Sequence, residues 1–278
     1  LGLTAGAGLL SLAAGGVGVL VDRARTSRVS RAAARRALPR PTGSGVAPEV
    51  PAAASIGNGV EPFITPTRSF YRIDTSLVPP EVDLDTWRLR IAGMVDRPLE
   101  LDFDQLVSRG VVERVITLCC VSNEVGGKYV GTTRWLGVPL AGLLEEVGVD
   151  PRADQVASRS VDGWPCGFPP AVALDGRDAM VAIAMDGEPL TVDHGFPARL
   201  VVPGLYGYVS ATKWLEEITL TTFDDFEGYW IPRGWAVDGP VKTQSRIDVP
   251  GDGDEVAAGR QAVAGVAWAQ HRGITGVE

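Results

Sequence analysis

Three cysteines, two histidines and a few cations are the groups in this 278-residue chain with chemistry to offer. Two of the thiols are neighbours at the end of an apolar run, Arg114-Val-Ile-Thr-Leu-Cys119-Cys120-Val-Ser-Asn123-Glu124-Val-Gly126-Gly127. A β-branched run that ends in small, polar and glycine residues predicts a buried strand delivering a side chain to a loop. Adjacent residues of a strand face opposite ways, so one thiol can pack in the core while the other faces a pocket. A lone pocket thiolate suits a soft, high-valent metal whose other ligands come from a cofactor. The bland alternative, two small buried hydrophobes, stays open at this point. A closed zinc site wants Cys-x-x-Cys or His-x-x-x-His spacings, which adjacent cysteines do not provide. A vicinal disulfide would be strained, and a reducing compartment would keep it open.

A second group of candidates lies in one later segment, where His194-Gly-Phe-Pro-Ala-Arg199 opens a strand ending in Val202-Pro-Gly204, with Lys213 beyond it. Imidazole, guanidinium and ammonium converging from one segment make a clamp for a phosphate-bearing cofactor, although such residues also serve as solvated or capping groups. No Gly-x-Gly-x-x-Gly or Walker loop occurs, which argues against a nicotinamide or nucleotide enzyme. No haem Cys-x-x-Cys-His or iron–sulfur cysteine pattern occurs either.

Several elements must position these groups. Trp87 to Ile91 alternates as a half-buried strand does, and Asp96-Arg-Pro98 turns the chain. Asp102 is placed to cap a short helix through Leu106, and Val115 to Leu118 is the strand feeding the cysteines. Pro139 opens a helix whose apolar stripe is Leu140, Leu143, Leu144 and Val147, with Gly148 as its stop. Short strands are predicted at Gln155 to Ser160, Ala179 to Ala184 with an Asp186-Gly187 turn, Leu200 to Val202, and Trp214 to Thr221. Many short strands with few helices indicate an α+β domain. Beyond Phe223, Tyr229 to Trp235, Lys242 to Val249 and Ala262 to Trp268 read as strands of a second, incomplete all-β module.

The N-terminal part has a different texture. Residues 1–21 carry no charge and would span about 30 Å as a helix, so they are expected to cross a membrane. A signal peptide would need basic residues before the apolar stretch, and here the arginines follow. Gly2 and Gly6 have a spacing that lets helices approach closely in lipid. Residues 22–40 hold seven arginines against Asp22, a net of 7 − 1 = +6, leaving −8 − 6 = −14 for the rest. That asymmetry argues against a nucleic-acid-binding body and for a juxtamembrane segment on anionic lipid, with the soluble domain facing the cytoplasm. A solvated linker with no topogenic meaning is the alternative, and an extracytoplasmic domain remains compatible with it. With no initiator Met, the chain reads as part of a longer protein whose earlier part could hold further membrane helices. Residues 22–60 are expected to form a basic, then Pro/Gly/Ala-rich linker, with ordered structure beginning near Phe63.

Thr117-Leu-Cys119-Cys120-Val-Ser-Asn123 resembles the cofactor-cysteine motif of the sulfite oxidase family of molybdopterin oxidoreductases. Gly187-Glu-Pro-Leu190 through Asp193-His194-Gly-Phe-Pro197-Ala-Arg199-Leu-Val-Val-Pro203-Gly204, then Lys213-Trp214-Leu, resemble that family's pterin-binding segment. The likeness covers roughly residues 61–278 in family order. It implies a mononuclear molybdenum held by a pterin dithiolene, oxo groups and one protein thiolate, that of Cys120, with Cys119 as its core-facing neighbour. It further implies pterin contacts from His194, Arg199, Ala211, Thr212, Lys213 and Asp162, and from Tyr71 and Arg72 of Phe70-Tyr71-Arg72. A molybdopterin-binding domain at 61–222 and the start of an immunoglobulin-like dimerisation domain at 223–278 complete the resemblance.

The chain also departs from that pattern. Glu124-Val-Gly126 follows Asn123 where sulfite oxidases place arginines, and a tetrahedral anion needs such a cluster. Trp164-Pro-Cys166-Gly-Phe-Pro169 puts Cys166 where the family has a hydroxyl, which makes Cys166 and Glu124 candidates for contacting a substrate other than sulfite. The expectation is a membrane-anchored enzyme performing two-electron oxygen-atom transfer on a small molecule, with Cys120, Arg72 and Cys166 at its catalytic centre. Its electron partner would be a separate chain or a missing part. The competing classes are a metal-free, membrane-tethered β-rich scaffold and a thiol redox protein using Cys119, Cys120 and Cys166.

Overall fold

The structure, a computed structural model, describes residues 30–277 apart from 36, 37, 55, 58 and 271. The expected membrane span at 1–21 lies outside the described residues. Among the described residues, no helix is long and apolar enough to cross a membrane.

Two five-stranded sheets and a small two-stranded one make up the β structure. The first sheet contains β1 (Leu89–Gly93), β2 (Leu99–Leu101), β5 (Gln155–Ser160), β6 (Pro165–Phe168) and β10 (Leu215–Thr221), in the order β2-β1-β10-β5-β6. Only the β1 and β10 pair in it is parallel. In the second sheet, β3 (Val112–Cys119), β4 (Val130–Pro139), β7 (Met180–Met185) and β8 (Glu188–Pro189) follow one another, and β9 (Arg199–Val201) also pairs with β7. Every residue of β7 is buried, which is why Met-Val-Ala-Ile-Ala-Met reads as a continuous apolar run and not an alternation. Asp186 and Gly187, at φ 51° and 76°, close the tight turn from β7 to β8.

The helices are short. Residues 30–35 form α1, followed by α2 (Phe103–Val107), α3 (Leu140–Val147), α4 (Pro170–Leu174) and α5 (Gly207–Ser210). Asp102 caps α2 in a reciprocal box: its carboxylate accepts from the Gln105 N–H at 2.8 Å, and the Gln105 amide oxygen accepts from the Asp102 N–H at 3.0 Å. The stripe Leu140, Leu143, Leu144 and Val147 of α3 is wholly buried, and Gly148 stops the helix at φ 68°. Each leucine of that stripe stabilises the fold by about 2 kcal/mol. One contiguous core joins both large sheets, taking Leu89 and Ile91 from β1, Ile218 and Leu220 from β10, Trp135 from β4 and Val181 from β7.

Two expectations need correction. The stretch preceding Phe63 is no free linker. Ala34 is fully buried, Arg31 donates from Nε to the Leu190 carbonyl at 3.0 Å, and Arg134 donates to the Pro48 carbonyl at 3.3 Å. A segment held by side-chain bonds to scattered carbonyls leaves no periodic trace in the sequence. Tyr229 to Trp235 is not a strand either. Pro232 and Gly234, the latter at φ 87°, fold it into a short 3-10 turn, Ile231–Arg233.

Strands β11 (Gln244–Val249) and β12 (Ala264–Trp268) pair antiparallel as a hairpin of their own. That hairpin is fastened to the rest of the fold beside the cysteines. Trp268 and Val241 pack with Cys119 and Tyr206, Gln270 donates to the Thr117 carbonyl at 3.2 Å, and Arg246 donates to the Gly127 carbonyl at 3.1 Å.

Candidate active site

Strand β3 ends at Cys119, and alternation separates the two thiols as its geometry requires. Cys119 is 2% exposed, and burial beside Cys120 pushes its thiol up to about 12. Cys120 instead faces a cavity of about 140 Å³. The loop that carries it is tied down at several points. The Cys120 N–H donates to the Tyr129 carbonyl at 2.9 Å, the Asn123 N–H to the Cys120 carbonyl at 3.0 Å, and the Tyr129 N–H to Asn123 Oδ1 at 2.7 Å.

Opposite stands the cationic segment. His194 ends the 3-10 turn Val192–His194, Arg199 opens β9, and Lys213 precedes β10. Gly195, at φ 103°, lets them converge, because a Cβ there would lie 3.0 Å from the backbone of Lys213. Burial and the Arg199 charge lower the His194 pKa to about 4, so the ring is neutral at pH 7. Its Nε2 lies 3.2 Å from the Thr67 carbonyl, an oxygen that can only accept, so Nε2 carries the proton.

Arg199 is 6% exposed, and burial lowers its pKa to about 10. It donates only to backbone carbonyls, those of Leu200, His194 and Ala211 at 3.3–3.4 Å, and it lies 5.2 Å from the Trp135 ring centre. Among the described residues no carboxylate pairs with it. Lys213 is also lowered, to about 8, chiefly by burial. Its ammonium donates to Asp74 at 2.5 Å and to the Asp193 carbonyl at 2.9 Å. Burial raises the Asp74 carboxyl, but hydrogen bonds from Arg72 and Lys213 outweigh it and hold the pKa low.

The cavity is therefore lined by Tyr71, Cys120, Asp162, His194, Arg199, Ala211 and Lys213, all singled out in the sequence. Tyr71 stacks on Phe70 at 5.3 Å, and burial raises its phenol. Asp162 accepts a hydrogen bond from Ser160 at the wall. Other candidates do not reach the cavity. Arg72 turns outward to ion pairs with Asp74 and Asp193 at 2.9 and 3.0 Å. Thr212 is fully buried and outside the lining, and Glu124 is exposed outside it.

Cys166 is the clearest correction. It is fully buried in β6, hydrogen-bonded to Thr212 at 3.0 Å and Ser158 at 3.4 Å, with its thiol pushed up to about 11 by burial. Its thiol points into the Ser158 and Thr212 network, away from the cavity, while Trp164, just before β6 begins at Pro165, lines the cavity wall. Sequence reasoning missed Trp164, Tyr208, Trp230 and Trp235 on the cavity wall. Two tryptophans in a six-residue stretch broken by Pro and Gly were the available signal, because core aromatics seldom cluster in turns.

Residues 76–230 match the family described as "Oxidoreductase molybdopterin binding domain". This chain belongs to the sulfite oxidase family of molybdopterin-dependent oxidoreductases. It is 33% identical over 180 residues to the uncharacterized oxidoreductase YuiH of Bacillus subtilis, covering 65% of this chain and 87% of that one. It is 30% identical over 249 residues to rat mitochondrial sulfite oxidase, covering 75% of this chain and 45% of the other. Against tomato NADH nitrate reductase the identity is 33%, with 60% of this chain and 21% of the relative covered. The crystal structure of the sulfane dehydrogenase SoxCD from Paracoccus pantotrophus aligns with a TM-score of 0.59 at 26% identity, covering 69% of this chain and 54% of that one. The chain thus spans less than half of the sulfite oxidase and about a fifth of the nitrate reductase.

The family's cofactor is Mo-molybdopterin, and the cavity fits it on two counts. A buried guanidinium without a carboxylate is an unpaired cation awaiting an anion such as the pterin phosphate. The buried indole N–H of Trp164, which has no acceptor among the described residues, adds a donor at the wall.

Proposed function

We propose that this oxidoreductase anchors the pterin phosphate with Arg199, Lys213 and the neutral His194, and presents Cys120 as the protein thiolate to molybdenum. The bound cofactor would supply two-electron oxygen-atom transfer. The chain's own residues hold, orient and shield it. The observation that carries this reading is the division of the thiols: Cys120 alone lines the cavity, opposite the unpaired Arg199. Buried cations act strongly because little water screens them. Cys119 and Cys166, buried and held protonated, are poorly suited to thiol exchange.

Sulfite is a poor fit as substrate, because no arginine cluster follows Asn123 and Glu124 stands there exposed. Electrons would be exchanged with another chain or with a part of the protein outside these 278 residues, since they hold no haem or cluster cysteine pattern. Membrane anchoring through residues 1–21, with the domain on the cytoplasmic side, remains part of the proposal. The β11–β12 hairpin would begin an immunoglobulin-like domain through which two copies pair.

The test is thiol alkylation read by mass spectrometry, with cofactor-free and molybdenum-loaded protein side by side. Iodoacetamide should modify Cys120 in the free protein, spare it in the loaded protein, and leave Cys119 and Cys166 slow in both. Equal modification of Cys120 in the two forms would overturn its assignment.

A further inference from the structure

The cavity has an aromatic lip that holding a phosphate and a metal does not explain. Trp230 and Trp235 lie with ring centres 4.7 Å apart at 33°, and Tyr208 meets Trp235 edge-on at 5.0 Å. All three line the cavity and each is partly buried, Tyr208 packing against the core. Such rings on a mobile loop would collapse together, but these are pinned. The Tyr229 N–H donates to the Pro165 carbonyl at 2.9 Å, the Trp235 N–H to the Trp230 carbonyl at 3.3 Å, and the Tyr208 hydroxyl to the Ala236 carbonyl at 2.8 Å. Arg233 braces the outside, its guanidinium 3.8 Å from the Tyr229 ring centre.

The charges facing the cavity sharpen what this lip can accept. Arg199 and Lys213 contribute two positive charges and Asp74 and Asp162 two carboxylates, so 2 − 2 = 0 among the described lining residues. Once a phosphate occupies the Arg199 end, no unpaired cation is left among the described lining residues to bind an inorganic oxyanion, since Lys213 is paired with Asp74 and Arg233 lies on the Tyr229 ring outside the cavity. The faces of aromatic rings are themselves electron-rich and repel anions, whereas they bind flat apolar groups well.

We infer that Trp230, Trp235 and Tyr208 form a substrate subsite that takes the flat apolar part of an uncharged organic molecule and discriminates against inorganic oxyanions. The inference rests on the proposed function, because it assigns the cationic end of the cavity to the cofactor. Trp230 and Trp235 would be specificity-determining residues that touch the substrate.

The test uses calorimetric titration of the molybdenum-loaded full chain with pyridine N-oxide, a flat neutral probe, and with sulfite and nitrate. The probe should bind saturably and the two anions should not at the same concentrations. Trp230→Ala and Trp235→Ala should each weaken the probe about tenfold, with Trp230→Phe within about threefold of the native protein. Molybdenum content is measured in every variant. Full metal with probe binding unchanged by either alanine variant, or with sulfite bound more tightly than the probe, would overturn the subsite and leave the cofactor assignment standing. Loss of metal in Trp230→Ala would assign the lip to the cofactor and overturn the inference. A native chain that takes up no molybdenum would overturn the functional reading and the subsite with it.

Discussion

Replacing Arg199 by methionine should separate cofactor binding from folding. Burial lowers the Arg199 pKa from 12.5 to about 10. At about 1.4 kcal/mol for each unit, keeping it charged costs the cofactor-free fold roughly 3 kcal/mol. The sign follows from the depressed value: the cost is felt in full below pH 10, where the side chain is charged in both folded and unfolded chains. Against it stand the bonds to the Leu200, His194 and Ala211 carbonyls, long at 3.3–3.4 Å and so worth about 1 kcal/mol each. The two effects cancel. Urea unfolding of the cofactor-free Arg199→Met protein should therefore fall within about 1 kcal/mol of native. The same variant made in a cofactor-competent host should carry less than about a tenth of the native molybdenum, the effect of losing one charge-assisted phosphate contact. A cofactor-free variant destabilised by more than about 3 kcal/mol, or a loaded one with native metal content, would refute the reasoning.

Three further perturbations probe the geometry around that cation. Gly195→Ala forces a side chain into φ 103° against Lys213 and should cost about 1–3 kcal/mol in urea unfolding while lowering metal content. With its folded pKa lowered to about 4, His194 stays neutral while its unfolded counterpart takes up a proton, so stability should drop by roughly 3 kcal/mol as pH falls from 6.5 to 4. His194→Gln should remove that part of the acid sensitivity, measured by urea midpoints across the window. Cys166→Ala should retain native molybdenum content and cost only about 1–2 kcal/mol, since the thiol is buried in the Ser158 and Thr212 network away from the cavity.

Much of the site was legible because its parts are local. The strand into Cys119 and Cys120 announces itself by β-branched residues and a glycine-rich exit, and the rule of alternation places one thiol in and one out. His194, Arg199 and Lys213 come from one stretch whose turn needs Gly195, so their convergence is also a local property. Cys166 and Arg72 were misjudged because each depends on a distant partner. The Cys166 orientation is set by pairing of β6 with β5 and by Thr212, and Arg72 is drawn outward by Asp193. The aromatic lip was missed for a similar reason: apart from the two close tryptophans it left little trace, because Tyr208 and Trp235 meet only through tertiary folding, and the turn at Ile231–Arg233 mimics the spacing of a strand. Helix α1 docks through Ser30 on Asp83, Arg31 on the Pro189 and Leu190 carbonyls and Arg35 on Glu188, and the segment around Pro48 through Arg134, distant pairings that composition does not encode.

The claim that Cys120 is the metal's protein ligand is tested most directly by X-ray absorption at the molybdenum edge, comparing Cys120→Ser with Cys119→Ser in loaded protein. Cys120→Ser should show one sulfur neighbour fewer than native and Cys119→Ser the native number. An unchanged sulfur count in Cys120→Ser would contradict the account.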